Sequence, residues 1–512
     1  MAANRSNRNL WLWQLPALLI LLTIAATGAF YETNDDLVIS FLLRGQTTGA
    51  PVTDLLYFFY GIGPVIAWLY KLAPALPWYG LLLYSLLFLA TVQAAFFLFK
   101  VDDEKQNSLP RILIPLAVLF ISAWLEHIMW FSFVRVSVLL AGVSVLLFAV
   151  EFGRQHRKKW PLLLCILAFL VALCLRPKGA FLGAGLALPA LWWLVPNQSV
   201  KKMLTIAAPF AVMAVIFQGV LTFSVDSDEK ELRYLNRQKS NINDYQLLAG
   251  GTKNDADSLA LVAVQNWLLA DTDVLNREFY NRVSGKNSSF FPANATQKAR
   301  QILETFARDY FLAILLQMLL VMGLFSKKSS LSSRTVFVLW QTGFWLLLLC
   351  IGIWLKLPAR IATSAISIHL LALTGIWLLY YRGRLLSNKL PGLALAIFCL
   401  LQVYKHGHRS FLQRDAQQRN EQFLIAFASA LPQYNTVLTA NMGEMLSSLS
   451  PFRNYNLGAR HVVSITGWPS LLPYYQSYLY QLSGKKPMLR LSKRQAIQTK
   501  PFGCCLPGFR IF

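Results

Sequence analysis

Residues 10–30 read LWLWQLPALLILLTIAATGAF and run directly into Tyr31-Glu32-Thr33-Asn34-Asp35-Asp36. As a helix the first stretch is long enough to cross the roughly 30 Å hydrocarbon core of a bilayer. The second sets three carboxylates where that helix would leave it. Apolar runs of about 17 to 22 residues recur from there to residue 404. The composition of the whole chain agrees: 55% of its 512 residues are hydrophobic and 14% are charged, and the mean hydropathy is +0.45. Soluble proteins carry nearly twice that share of charge. A soluble enzyme and a disordered chain are therefore excluded, and an all-α polytopic membrane protein is expected.

The chain has 48 Lys and Arg against 24 Asp and Glu. Short cytoplasmic loops collect basic residues, so topology accounts for much of this excess and no nucleic-acid partner is expected. Arg5 and Arg8 precede the first apolar run, which is long for a signal-peptide core and has only Ala25-Ala26-Thr27 as a weak cleavage site, so it reads as a retained span. The stretch from Asp54 to Leu72 is apolar but broken by Gly61, Gly63 and Pro64. If it crossed the membrane, the loop Arg154, Arg157, Lys158, Lys159 would fall opposite Arg5 and Arg8. If it lies in the interface or re-enters, that loop agrees with them, and so do Lys201 and Lys202, then Lys327, Lys328 and Arg334, then Arg382, Arg384 and Lys389. It is predicted not to span.

The predicted spans are approximately 10–30, 78–99, 112–127, 131–152, 160–175, 179–196, 203–223, 309–325, 335–355, 361–380 and 390–404, about eleven in all. This places the N-terminus in the cytoplasm and the C-terminus outside, as for a multi-pass protein of a bacterial inner membrane. Three polar segments share the outer face: 31–77, 224–308 and 405–512. The second is acidic and reads as helical, as in Ser258 to Val264 and Ala299 to Arg308. The third carries the β-branched runs Tyr434 to Thr439 and His461 to Thr466, bounded by Pro, Asn and Gly, which predict strands in a small α/β outer domain. Two units follow: a transmembrane module over 1–404, with the insertion 224–308, and an outer domain over 405–512. From Lys485 onward the chain is basic without a clear pattern. The six cysteines show no metal or disulfide spacing, and there is no internal repeat.

Carboxylates beside hydrocarbon lose solvation, which raises their pKa or pairs them with cations and suits a general base or a metal ligand. Glu32, Asp35 and Asp36 are the candidate catalytic residues, and Leu37 to Arg44 is an amphipathic stretch that would fix them along the interface. The competing reading is structural: Thr33 or Asn34 as an N-cap, with Asp35 and Asp36 offsetting the helix dipole. Arg135, Arg176 with Lys178, and Lys356 with Arg360 fall at outer span ends, where short loops are normally poor in Lys and Arg. A phosphate is their natural partner, and lipid headgroup contact or snorkelling is the alternative. His127 beside Glu126 is a candidate for proton transfer or a satisfied structural group. The run Lys405-His406-Gly407-His408-Arg409 is a poor metal site, because its basic residues repel a cation. Trp78, Tyr79, Trp468, Tyr474, Tyr475, Tyr478 and Tyr480 suit either stacking on sugars or an interfacial aromatic belt.

The order of elements over roughly 1–404 resembles the GT-C superfamily of membrane glycosyltransferases, which includes the protein mannosyltransferases and the lipid A aminoarabinose transferases. The shared features are a first span, an acidic motif at its outer end, an interfacial helix, a second Gly- and Pro-containing interfacial stretch, and a span starting Pro77-Trp78-Tyr79-Gly80. The turn Leu175-Arg176-Pro177-Lys178-Gly179 is similar in character to Arg-Pro turns of that superfamily. There are departures. Gly63-Pro64-Val65 stands nearest to the Pro-Pro-Leu stretch of the mannosyltransferase and aminoarabinose branches. Asn34-Asp35-Asp36 replaces the Asp-Glu or Glu-x-Asp form, which leaves open which carboxylate acts. No Trp-Trp-Asp is present, so the oligosaccharyltransferase branch is excluded. The resemblance implies a polyprenyl-phosphate-linked sugar as donor, a glycan, lipid or protein as acceptor, and inverting transfer at the outer face. A divalent cation is compatible with the site, but no cofactor is required, since one lipid phosphate can be held by Arg and Lys alone. An O-antigen-type polymerase, or a flippase or transporter of lipid-linked envelope glycans, is the alternative.

Overall fold

In the computed structural model the chain is described over residues 2–55, 58–102, 109–154, 159–195, 199–249, 254–285, 290–326, 331, 333–381, 389–430, 436–439, 446–458, 461–475, 505–506 and 509–510. The opening apolar run forms α1 (Ala2–Thr27), which leads through the strand β1 (Phe30–Tyr31) into α2 (Asn34–Arg44), α3 (Ile62–Leu72) and α4 (Trp78–Asp102). Next, α5 (Leu109–Leu119) passes through a π-turn at Phe120–Trp124 into α6 (Leu125–Met129), and β2 (Trp130–Phe131) precedes α7 (Phe133–Phe152). Then come α8 (Lys159–Leu175), α9 (Pro177–Ala187), α10 (Leu191–Leu194) and α11 (Val200–Ser224). The polar insertion forms α12 (Ser227–Asn243), α13 (Asp255–Gln265), α14 (Arg277–Val283) and α15 (Phe290–Asp309), helical as its periodicity predicts. The helices end with α16 (Phe311–Phe325), α17 (Arg334–Trp354), α18 (Ala359–Tyr380) and α19 (Lys389–Ala430), followed by β3 (Thr436–Thr439), β4 (His461–Ser464), β5 (Cys505–Leu506) and β6 (Phe509–Arg510).

The protein is a multi-pass, predominantly helical membrane protein. Among the described residues six helices are long and apolar enough to cross a bilayer: α4, the continuous helix Ile112–Met129, α7, α11, α17 and α18. A seventh is gained if α15 and α16, bent by 77° where they meet, count as one span. Among the described residues the predicted count of eleven is therefore not met. The predicted span 160–175 is a helix of 17 residues. The predicted span 179–196 breaks into α9, a 3-10 turn at Leu188–Ala190 carrying Pro189, and the four-residue α10. In α1, a helix of 26 residues, side chains are described only from Trp11 to Thr27. The predicted span 390–404 lies in the start of α19, whose side chains up to residue 395 are outside the described residues, as are Arg157, Lys158, Lys327, Lys328, Arg382 and Arg384. α3 has only 11 residues, consistent with a segment that does not span.

α7 is apolar on every face and is buried over almost its whole length, as is α18. A helix that is hydrophobic all round belongs inside a bundle, and α7 packs against α4, α8, α9 and α18. Its approach to α9 is close enough that a Cβ on Gly183 would meet the Val138 carbonyl oxygen at 2.1 Å, so only glycine fits there. α11 and α17 are mostly exposed, as lipid-facing helices would be. The break between α8 and α9 is set by Pro177, which has no N–H to continue the helix. Arg176 before it is extended, at φ −157° and ψ 97°. The Ser137 hydroxyl of α7 lies 2.9 Å from the carbonyls of both Ala172 and Arg176 and satisfies the exposed helix end.

The C-terminal region departs from the expected α/β domain. α19 runs unbroken across residue 404, and β3 and β4 pair in parallel from Thr436↔His461 to Thr439↔Ser464 with no described helix between them. Their flanks are spent on the bundle. Leu449, Leu457, Val463 and Leu472 join the same apolar cluster as the membrane helices. The Tyr31 N–H donates to the Leu449 carbonyl at 2.8 Å, and a Cβ on Gly80 would strike the Pro451 carbonyl oxygen at 2.0 Å. A segment buried against another core has no need of helices to cover it. Tyr478, Tyr480 and, apart from β5 and β6, the basic stretch from Lys485 lie outside the described residues.

Candidate active site

The acidic motif is fixed by the joining of two short strands, one after α1 and one after α6. β1 pairs in parallel with β2, with Phe30 opposite Trp130 and Tyr31 opposite Phe131, and the Glu32 N–H donates to the Phe131 carbonyl at 2.9 Å. The starts of α2, α4 and α7 thereby meet at one end of the bundle. Asp36, in the first turn of α2, is fully buried there. Its Oδ1 accepts from the Tyr79 hydroxyl at 2.7 Å and from the Phe133 N–H at 3.1 Å, and Thr33 Oγ1 donates to Oδ2 at 3.4 Å. Burial pushes this carboxyl up to about 7; the Tyr79 and Phe133 bonds pull it down and the charge of Asp35 pushes it further up. Thr33 does occupy the N-cap, as the structural reading supposed, yet its hydroxyl makes no bond to the backbone of the helix.

Asp35 is placed differently. It is half-buried, and the Trp468 indole N–H, from the far end of the chain, donates to its Oδ1 at 3.0 Å. Arg176 and Arg360, the ends of two different helices, gather around the acidic pair. Arg176 is within electrostatic reach of Asp35 and of Arg360, and Arg360 is within reach of Asp36. The Arg176 guanidinium lies 5.8 Å from the Phe58 ring, which in turn meets Trp468 edge-on at 5.3 Å. Burial holds Arg176 below the usual arginine range, with Tyr60 and then Asp35 opposing it. Lys178 is exposed one residue beyond Pro177 and within reach of Arg176. Lys356 is exposed and pairs with Asp244 at 3.4 Å.

Glu32, Arg135 and His127 form a separate network. Arg135 is 1% exposed and grips Glu32 with two bonds, Nε to Oε2 at 2.7 Å and Nη2 to Oε1 at 3.1 Å. It also faces Glu126 at 3.5 Å, which receives the Thr363 hydroxyl at 3.1 Å and lies 3.7 Å from Arg409. Arg135 has thus no open face for a phosphate, and Glu32 spends its carboxylate on Arg135; the roles expected for these two do not fit their placement. Both ring nitrogens of His127 are engaged, Nδ1 with Arg135 at 3.1 Å and Nε2 with Ser367 at 2.8 Å. A guanidinium only donates, so Nδ1 is the acceptor and the proton sits on Nε2, which describes the structural histidine rather than the proton carrier.

No family model and no curated protein matches the chain.

The residues the sequence left unassigned are Tyr79 and Trp468, visible only as members of an aromatic group, and Lys239. Lys239, on α12, is buried, and its ammonium is 4.6 Å from the Trp267 ring. Burial pushes it down to about 8, with Asp244 and Asp35 opposing. Nothing local marks it among the other basic residues of the insertion. His406 and His408 do not converge: His408 stacks on Tyr404, while His406 lines a water-sized cavity of about 10 Å³ with Glu126. Among the described residues no three His, Cys, Asp or Glu side chains are grouped to hold a metal ion. The arrangement is one half-exposed carboxylate, oriented by an indole, beside a buried carboxyl and among more positive charge than it can neutralise. Such a site suits an anionic ligand with a proton to be removed next to it.

Proposed function

We propose that the protein is a membrane glycosyltransferase that moves a sugar from a polyprenyl-phosphate-linked donor to an acceptor hydroxyl at the outer face, with inversion at the anomeric carbon. Asp35 acts as the general base. It takes the proton of the acceptor hydroxyl as that oxygen attacks, and the bond to the phosphate oxygen breaks on the opposite side, which is why the configuration inverts. Asp36, clamped by Tyr79 and Phe133, fixes the helix end that aims Asp35. Arg176 and Arg360 stabilise the charge that develops on the departing phosphate, with Lys178 at the rim.

The observation that carries this reading is that Arg176 reaches the half-exposed Asp35 and Arg360 the adjoining Asp36, while Asp36 is itself committed to internal bonds. The resemblance of the element order to the GT-C superfamily supports it from the sequence side. The test is transfer from a radiolabelled lipid-linked sugar by purified Asp35→Asn protein. Asn keeps the shape and the indole bond but cannot take a proton, so turnover should fall by at least about 10²-fold with an unchanged melting temperature. Normal turnover in both Asp35→Asn and Asp36→Asn removes the mechanism. A flippase is the second reading, favoured by the buried chain Glu32, Arg135, Glu126 and Arg409, since ionisable groups within apolar helices often mark transport paths. It predicts movement of a lipid-linked oligosaccharide across vesicles without any transfer.

A further inference from the structure

Lys239 is a buried ammonium without an ion-pair partner among the described residues. It is 5% exposed, and Asp244, the carboxylate that most offsets its burial, is bonded to Lys356 instead. The face of Trp267 offsets only part of the cost of desolvating an ammonium. Asp35 and Arg176 are both within its electrostatic reach, so the single charge of Asp35 is shared between cations arriving from α12 and from the α8–α9 break.

The position of Lys239 is imposed from outside α12. Trp267 has φ +60°, a left-handed conformation that bulky residues rarely adopt. It is held there by the Gly467 N–H, which donates to its carbonyl at 2.9 Å, and by an antiparallel bridge between Leu268 and Thr466. The next residue, Trp468, is the one that holds Asp35. One short backbone staple therefore ties the ring under Lys239 to the indole on Asp35. Strain maintained at such a point marks a place where the surrounding structure is used to fix geometry.

We propose that Lys239 contacts the phosphate of the lipid-linked donor, so that the 224–308 insertion supplies part of the donor site. The inference rests on the glycosyltransferase reading above and extends it to a residue and an element that reading did not include. Lys239 contributes a compact point charge where Arg176 and Arg360 contribute planar forks. The third cation balances a phosphate whose charge rises when the sugar leaves.

Binding of a polyprenyl monophosphate and of the matching uncharged polyprenol to the full-length protein in nanodiscs tests this. Lys239→Met keeps the apolar stem over Trp267 and should weaken polyprenyl phosphate binding by about 10- to 100-fold, leave polyprenol binding unchanged, and be largely restored by Lys239→Arg. Should Lys239→Met fold poorly, Trp267→Leu removes the supporting ring and no charge, and should weaken phosphate binding about threefold with polyprenol binding intact. Wild-type phosphate affinity in Lys239→Met or in Trp267→Leu, with Arg176→Ala still impaired, overturns the role of Lys239 and leaves the donor reading standing. Equal binding of the phosphate and the polyprenol by the wild-type protein overturns both. Equal losses for the two lipids in Lys239→Met show a structural residue and also overturn the proposal.

Discussion

Replacing Asp36 by Asn should change how stability depends on pH, in a direction fixed by the burial of this one carboxyl. Unfolded, it titrates near 3.8; in the folded protein, shut away from water between α2, α4 and α7, it holds its proton to about 7. Between those values the folded state binds the extra proton, so rising pH favours unfolding. Asp36 contributes fully below pH 3.8, and the contribution is lost as pH climbs through about 7. Each unit is worth about 1.4 kcal/mol, so the whole window is on the order of 4 kcal/mol. Asn has no proton to lose, and its side-chain oxygen accepts from Tyr79 and Phe133 as the carboxyl does. Melting temperatures of the detergent-solubilised protein at pH 5 and pH 8 provide the assay, with the difference between variant and wild type cancelling every other titrating group. Wild type should lose several degrees more than Asp36→Asn across that interval, and the variant should be the more stable of the two at pH 8. Parallel profiles, or a variant less stable at pH 8, would refute the reasoning that burial governs this carboxyl.

Arg176→Ala and Arg360→Ala should each weaken polyprenyl phosphate binding by roughly 1.5–3 kcal/mol, the value of a charged hydrogen bond, with Lys restoring only part of it; a headgroup role predicts no change in a fixed detergent and is recognised by that. Arg135→Met leaves the half-buried Glu32 without its cation and Glu126 with Arg409 alone and should cost about 3 kcal/mol of stability, read as a drop in melting temperature, while donor affinity per folded molecule stays at the wild-type value. Cysteines introduced at Ser240 and Ser429 should both react with an impermeant maleimide in intact cells; labelling of either only after the membrane is breached reverses the assigned sidedness.

Much of the bundle was legible in the sequence because crossing a bilayer demands length and apolarity, both of which are local. α4, α7, α11, α17 and α18 sit close to where their hydropathy placed them. What misled the count was also local but subtler: a turn carrying Pro189 cuts the predicted span 179–196 into pieces too short to cross. The strands β3 and β4 were visible from β-branched residues, whereas their burial against the bundle was not, because a strand pattern does not say what covers it. In the site, the sequence singled out the acidic motif and Arg176. It had no means of separating Asp35 from Asp36, since the difference lies in Tyr79, Phe133 and Trp468, at 43, 97 and 433 residues' distance. Arg135 looked like an anion-binding cation for the same reason: its partner Glu32 is 103 residues away.

The bond between Trp468 and Asp35 has a consequence for the order in which the molecule is made. Asp35 leaves the ribosome early and its indole partner after more than nine-tenths of the chain has been synthesised. Every membrane helix described here can be inserted and packed before that indole exists. During that interval the carboxylate sits beside its cations without the group that turns it, and without Thr466 and Gly467 to hold Trp267 in place. The assembling protein is thus a bundle with an unfinished centre, and the short turn after β4, not the last membrane helix, completes it.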